Sequence, residues 1–302
     1  MMDIAVPRAS RTGAAPVAVS FEFFPPKTSE MEEALWQSIQ RLAPLQPNFV
    51  SVTYGAGGTT RKRTHSTVGR ILAETDMRPA AHLTCVGASR GEVDEVVQEY
   101  WDLGVRHIVA LRGDPPAGVG SKYEPHPQGY QTSAELVAGI KRIGDFEVTV
   151  SAYPEKHPEA TSFDQDIDAL KAKIDAGATR AITQFFFEND CYLRYLDKVR
   201  ARGIDIPILP GLVPVQNFKQ TASFATKTGA SVPTWLAARF EGLEEDAATR
   251  RLVAAAVAAE QALDLMDRGV RDFHFYTMNK ADLVFAICHL LGLRAQPSQK
   301  AA

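Results

Sequence analysis

The chain has 302 residues, 45% hydrophobic and 23% charged, with a formal net charge of −3. That balance supplies one large core and excludes a nucleic acid or an anionic membrane surface as the expected partner, and no apolar run is long enough to span a bilayer. The three cysteines, Cys85, Cys191 and Cys288, lie far apart without metal-ligand spacing, which argues against a disulfide framework or a structural zinc site and for a reducing, cytoplasmic setting.

Residues 1–16 contain two arginines but no apolar stretch, and read as a disordered N-terminal tail rather than a secretion signal. From there, β-branched and aromatic runs alternate with longer helical patterns. Strands are predicted at 17–24, 48–54, 79–85, 106–111, 147–153, 179–186, 206–211 and 271–276. Helices fall near 29–43, 61–74, 89–103, 132–142, 162–176, 189–202, 217–228, 246–268 and 279–291. Capping-box spacing marks three helix starts: Ser29 with Glu32, Ser89 with Glu92, and Thr161 with Asp164.

Strand–helix units repeated eight times argue for α/β architecture of the (β/α)8 TIM-barrel type, one domain over 17–293 with an extra helical element near 229–246 and a C-terminal tail at 294–302. An open doubly wound sheet is the alternative, weakened because no glycine fingerprint follows the first strand.

Alternate residues of the strands sort into two faces. One reads Val19, Phe21, Phe23; Val50, Val52; Leu83, Cys85; Val109, Leu111; Val148, Val150; Phe273, Phe275. The other reads Ser20, Glu22; Ser51, Thr53; His82, Thr84; Arg112, Asp114; Thr149, Ser151, Tyr153; Gln184; His274, Tyr276. The outer wall of a barrel lies under helices, so the apolar set is expected outside and the polar set inside, gathered toward the strand C-termini where barrel enzymes build their sites.

Glu22, in "SFEFFPPKT", is the leading candidate. Phenylalanines on either side disfavour its charged form, as suits a general acid; a structural glutamate paired with an arginine such as Arg112 is the alternative. In "LRGDPP", Arg112 suits an anion and Asp114 a heterocycle or cation, or the two form an ion pair. The glycine loop "TYGAGGTT" allows close backbone approach or is a plain turn. "AYPEKHPEA" places Tyr153 and His157 on a stiff loop, for a pyrophosphate or as surface groups, and Asp166 and Lys173 follow on a helix face. Gln184 in "TQFFF" points inward, and Phe224 has core packing as its simplest role. No side chain among these carries a hydride, so redox chemistry here needs a flavin or a nicotinamide.

Taken in order, "SFEFFPPKT", "VSVTYGAGG", "AHLTC", "HIVALRGDPP", "SAYPEKHPEA", "DAGATRAITQFFF", "GLVPVQNFKQ" and "DFHFYTMNKA" resemble the methylenetetrahydrofolate reductases of the bacterial, catalytic-domain-only type, from about residue 17 to 293. The resemblance implies a (β/α)8 barrel with noncovalent FAD. Such enzymes pass a hydride from NADH or NADPH to 5,10-methylenetetrahydrofolate by ping-pong kinetics, feeding methionine synthesis. It implies Glu22 as general acid for opening the imidazolidine ring to an iminium ion, and Asp114 as a pterin contact that stabilises that cation. Gln184, Gln220, Phe224 and Lys280 are implied in binding folate, Gln184 also in binding nicotinamide, and Thr53 in meeting the nicotinamide. FAD contacts are implied at Tyr54, Ala56, His82, Arg112, Gly113, Asp114, Thr132, Ser133, Tyr153, His157, Ala160, Asp166 and Lys173. Ala169 and Ala172 depart from the polar residues expected along the adenosine end, and Lys280 replaces a common arginine, keeping charge but losing its bidentate fork. Relatives form dimers or tetramers, so a homo-oligomer is expected. Two rivals are a barrel lyase using a Schiff-base lysine, for which the predicted strands offer no lysine, and a non-catalytic ligand-binding barrel.

Overall fold

A computed structural model describes residues 16–55, 60–115 and 123–296. Most of the expected 1–16 tail, most of the 294–302 tail, Ala56 with part of the glycine loop, and part of the loop after "RGDPP" lie outside the described residues.

The strands are β1 (Ala18–Phe23), β2 (Phe49–Val52), β3 (Pro79–Thr84), β4 (His107–Leu111), β5 (Glu147–Ala152), β6 (Arg180–Thr183), β7 (Ile208–Leu209), β8 (Gly211–Leu212) and β9 (Asp272–Tyr276). The α-helices are α1 (Ser29–Leu42), α2 (Arg61–Glu74), α3 (Arg90–Leu103), α4 (Ser133–Ile143), α5 (Phe163–Asp175), α6 (Asn189–Ala201), α7 (Phe218–Thr228), α8 (Thr234–Phe240), α9 (Ala247–Asp267) and α10 (Ala281–Leu290). All pairings are parallel, in the order β7-β6-β5-β4-β3-β2-β1-β9-β8. The seventh expected strand is split because Pro210 has no N–H for the ladder, so β7 pairs with β6 and β8 with β9 on either side of it. These two pieces close the TIM-barrel-like α/β fold. Helix α8 is the extra element expected near 229–246.

Two caps sit one residue from their expected places. Thr28 rather than Ser29 caps α1, its Oγ1 accepting from Met31 N at 3.3 Å, and Ser162 rather than Thr161 caps α5, accepting from Gln165 N at 3.1 Å. In each Thr-Ser pair only the capping residue is the last one in extended backbone, which spacing alone does not reveal. The Ser89–Glu92 box forms as expected.

The strand faces separate as expected except in β4. Val109 and Leu111 pair in register with His82 and Thr84, so they face the barrel interior, while Ile108 and Ala110 pack outward. Arg112 and Asp114 lie beyond the strand, and Gly113 at φ +88° breaks the alternation there, so they do not report the parity of β4. Phe49, Ala80, Val109, Ile182 and Leu209 fill the interior as one apolar plug. At the strand N-termini Arg180 pairs with Glu147, and His107 Nε2 lies 2.8 Å from Thr149 Oγ1. The larger core lies between barrel and helices, built on Phe21, Phe23, Phe273 and Phe275. The three cysteines are buried and unpaired.

Candidate active site

The polar groups above the plug converge at the C-terminal end of the barrel. Glu22 is 7% exposed, and its inward direction follows from strand alternation once Phe21 and Phe23 are committed to the outer core. Its Oε2 lies 3.4 Å from His82 Nε2 and 3.7 Å from His274 Nε2. Among the described residues no arginine pairs with it; Arg112 is held by Glu159 instead of forming the alternative Glu22–Arg112 pair. Both facing nitrogens are buried and lack a hydrogen-bond partner among the described residues. Burial pushes the His82 pKa down, against the attraction of Glu22. This imidazole is therefore neutral at neutral pH, and the contact is not an ion pair.

His274 is fully buried, with Nδ1 2.8 Å from Ser20 Oγ, which itself donates to Phe273 O at 3.3 Å. With its hydrogen on that carbonyl, Ser20 accepts from Nδ1–H. That bond aims Nε2 at Glu22, where it can accept a hydrogen bond in one tautomer and donate one in the other. Tyr276 packs edge-on against His274 at 5.3 Å and donates its hydroxyl to Thr183 O at 2.7 Å. Gly211 makes that packing possible: a Cβ there would sit 2.3 Å from Thr183 O and 2.6 Å from Tyr276 Cε2.

The rim after β4 holds Arg112, Gly113 and Asp114. Arg112 does not pair with Asp114; its fork grips Glu159, at 2.5 Å from Nη1 and 2.8 Å from Nη2, and its guanidinium lies 4.1 Å from the Tyr123 ring centroid. Neighbouring protein atoms push the Asp114 pKa up while Arg112 pulls it down. At Gly113 a Cβ would meet Val86 Cγ1 at 2.5 Å, so only glycine brings the backbone this close to the end of β3.

The next rim segment follows β5. Tyr153 and His157 meet edge to face at 4.6 Å. Glu159 N–H donates to His157 Nδ1 at 3.1 Å, which leaves the neutral ring's hydrogen on Nε2 as a free donor. Asp166 accepts from His157 N at 3.2 Å, and Lys173 Nζ donates to Ser151 O at 2.6 Å. Burial pushes the Lys173 pKa down to about 8, opposed by Asp166. Asp166 and Lys173 are thus buried groups under the rim, which removes the solvated-face alternative for them. Ala160 lies on the same loop, its carbonyl taken by Lys156 Nζ. Thr132 caps α4 and Ser133 opens it.

On the adjacent rim segment, after β6, Gln184 Nε2 donates to Thr228 Oγ1 at 3.2 Å, joining the end of β6 to α7. Phe224 is 49% exposed rather than in the core, with its ring stacked 5.9 Å from Phe185. With Lys219, Gln220, Ser223 and Lys227 it lines an open groove of about 350 Å³. Thr53 is half-buried, its N–H donating to Phe23 O at 2.9 Å. Burial raises the pKa of half-buried Tyr54 beside it. Lys280 is exposed at the N-terminus of α10. Ser20, His274 and Glu159 received no role from sequence. The alternation put Ser20 and His274 on the inner face, but only closure between β1 and β9 makes them neighbours of Glu22.

Residues 8–292 match the family model described as methylenetetrahydrofolate reductase. The 5,10-methylenetetrahydrofolate reductase of Pectobacterium carotovorum is 53% identical over 278 residues, covering 92% of this chain and 91% of the relative. That of Escherichia coli K12 is 51% identical over 278 residues, covering 92% of each. Among solved structures, a Clostridium thermocellum protein described as binding two copies of 5-methyl-5,6,7,8-tetrahydrofolic acid superposes with a TM-score of 0.60 at 14% identity. The match covers 91% of this chain and 94% of that one, a likeness of fold.

Proposed function

Since the chain belongs to the methylenetetrahydrofolate reductase family, we propose that it reduces 5,10-methylenetetrahydrofolate to 5-methyltetrahydrofolate, with NADH or NADPH as hydride donor and noncovalent FAD as carrier in a ping-pong cycle. The observation that carries this reading is Glu22: a buried carboxyl with no lysine or arginine partner among the described residues, facing two imidazoles at the barrel mouth.

The residues present fit a flavin dinucleotide. Ser51 Oγ, Thr84 Oγ1 and His82 Nε2 are buried polar atoms left without a protein partner near the barrel mouth. The rim after β4 and β5 adds Arg112, the His157 Nε2–H and buried Lys173 as donors for an anionic centre, and Gly113 permits close backbone approach. Tyr54, His82, Thr132, Ser133, Tyr153, His157, Asp166 and Lys173 would hold the group. When bound, a flavin supplies hydride transfer between nicotinamide and folate.

The chain's own residues then have defined tasks. Breaking the imidazolidine ring requires a proton on the departing nitrogen, and Glu22 delivers it from its carboxyl. The loss of that proton leaves a carboxylate, which His82 and His274 accommodate by donating from Nε2 in the other tautomer. Asp114 places negative charge where the folate becomes cationic. Phe224, backed by Phe185, offers a ring face to an aromatic part of the substrate, while Gln184 and Gln220 supply amides and Lys280 a cation for its carboxylates. The Schiff-base rival lacks a nucleophile in the barrel wall, since no described strand carries a lysine.

Spectroscopy of the purified protein tests the reading. A yellow protein bleached by NADH or NADPH without oxygen, and recoloured by methylenetetrahydrofolate, is the expected result. A colourless protein that takes up no added FAD would overturn it.

A further inference from the structure

The paired ladder between β1 and β9 ends at Glu22 and Tyr276. Two residues further, the backbone of Phe24 has no β9 residue paired with it, and the side chain of Asn279 takes that place. Phe24 N donates to Asn279 Oδ1 at 2.8 Å, and Asn279 Nδ2 donates to Phe24 O at 2.9 Å. The pair of bonds fixes the amide's orientation, because a flipped amide would set donor against donor. Thr277, fully buried, donates its hydroxyl to Glu22 O at 2.6 Å, and its N–H reaches the same oxygen at 3.3 Å. That hydroxyl also accepts from Asn279 N at 3.1 Å. From the other side Ser38 of α1 donates to Asn279 O at 2.8 Å, and Lys280 N donates to Thr277 O at 2.9 Å.

The turn that makes this possible is strained. Met278 and Asn279 are consecutive non-glycine residues at φ +52° and +55°. Side chains disfavour that conformation, and such strain persists only where surrounding bonds over-determine it. Here the bonds converge on the backbone immediately C-terminal to one side chain, that of Glu22.

We propose that Thr277 and Asn279 form a clamp that positions Glu22 for proton delivery, so that they are positioning residues for the folate half of the reaction; this rests on the functional reading above. The clamp holds the carbonyl of Glu22 and both backbone groups of Phe24, leaving the carboxyl few ways to move away from His82 and His274. A structural turn whose only task is to start α10 would affect folding but would not distinguish the two half-reactions.

The test uses Asn279→Ala and Asn279→Gly, with Thr277→Ser and Thr277→Val as a second pair. Asn279→Gly removes the clamp and the backbone strain together, so it separates the two. In the unliganded chain, amide exchange at Phe24 should speed up by about tenfold in both Asn279 variants, the equivalent of one lost hydrogen bond. In the FAD-loaded enzyme, single-turnover reduction of methylenetetrahydrofolate should slow by roughly 10- to 100-fold, as expected for a misplaced reacting group. Flavin reduction by NADH or NADPH should stay within about twofold. Thr277→Ser should keep the folate rate and Thr277→Val lose it. Unchanged folate reduction in Asn279→Gly despite faster exchange at Phe24, or equal losses in both half-reactions, would overturn the clamp. A wild-type protein that takes up hydride but never passes it to the folate would instead overturn the functional reading.

Discussion

Replacing Glu22 by glutamine isolates the proton from everything else the side chain does. The amide has the same length and keeps an oxygen near His82 and His274, but it has no acidic hydrogen to give. Among the described residues, the groups beside Glu22 offer no substitute acid. Burial keeps the His82 imidazole neutral, and His274 is tied to Ser20 through Nδ1. The Tyr276 hydroxyl is committed to Thr183 O, and burial raises its pKa well above the ordinary range. The full contribution of a positioned general acid should therefore disappear, roughly 10²- to 10⁴-fold in rate, or about 2.7–5.4 kcal/mol of barrier. Flavin reduction by NADH or NADPH needs no such acid and should be nearly unchanged. Anaerobic stopped-flow spectroscopy of Glu22→Gln separates the steps: flavin bleaching by the nucleotide, then recolouring by methylenetetrahydrofolate. A loss below about fivefold in the second step would remove Glu22 from its role; so would an equal loss in both steps.

Lys173 makes the phosphate reading testable through pH. Its pKa in the unliganded chain is about 8, so it is charged below that and neutral above. A bound anion favours the charged form and raises the pKa, so binding takes up a proton, and affinity is full below pH 8 and falls above it. ADP as a probe should lose affinity by up to about tenfold per pH unit above pH 8, with proton uptake visible by calorimetry in buffers of different ionisation heat; constant affinity from pH 7 to 9.5 would refute the contact. Gly211→Ala should destabilise the fold, because its Cβ meets the Thr183 carbonyl and the Tyr276 ring, neither of which moves freely. A loss of roughly 3 kcal/mol, lowering Tm by about 6 °C or more, is expected from calorimetry, and an unchanged Tm would show that the close approach is not constrained.

The elements and the inward set were legible because they depend on local pattern: alternation in the strands, helical period between them, and a hydroxyl or glycine at the ends. Glu22 stood out from such a pattern alone, a carboxylate on the face opposite Phe21 and Phe23. Its surroundings were not legible, because they depend on closure. Ser20 and His274 are 254 residues apart and meet only because the last strand returns beside the first. Arg112 and Glu159 are 47 residues apart, on loops after neighbouring strands, and their pairing depends on backbone courses that no periodicity encodes. The inverted parity in β4 shows only in the register with β3, because Arg112 and Asp114 lie past the strand end, where a left-handed glycine breaks the period of two.

That division has a chemical consequence. A carboxylate in apolar sequence is ambiguous between acid and ion-pair partner, and the ambiguity is resolved by whether a cation arrives from elsewhere in the chain. Here the nearby arginine is engaged by Glu159, and the groups that reach Glu22 are two imidazoles, His82 held neutral by burial and His274 bonded to Ser20 through Nδ1. Glu159→Gln is therefore the complementary perturbation to Glu22→Gln. It frees the Arg112 fork without placing any cation at Glu22, because Arg112 lies past the end of β4 with its guanidinium over the Tyr123 ring. Flavin affinity should respond, and the rate at which folate recolours the reduced protein should not. A folate step that slowed with Glu159→Gln as it does with Glu22→Gln would mean that the two rims are electrostatically one site, contrary to the separation drawn here.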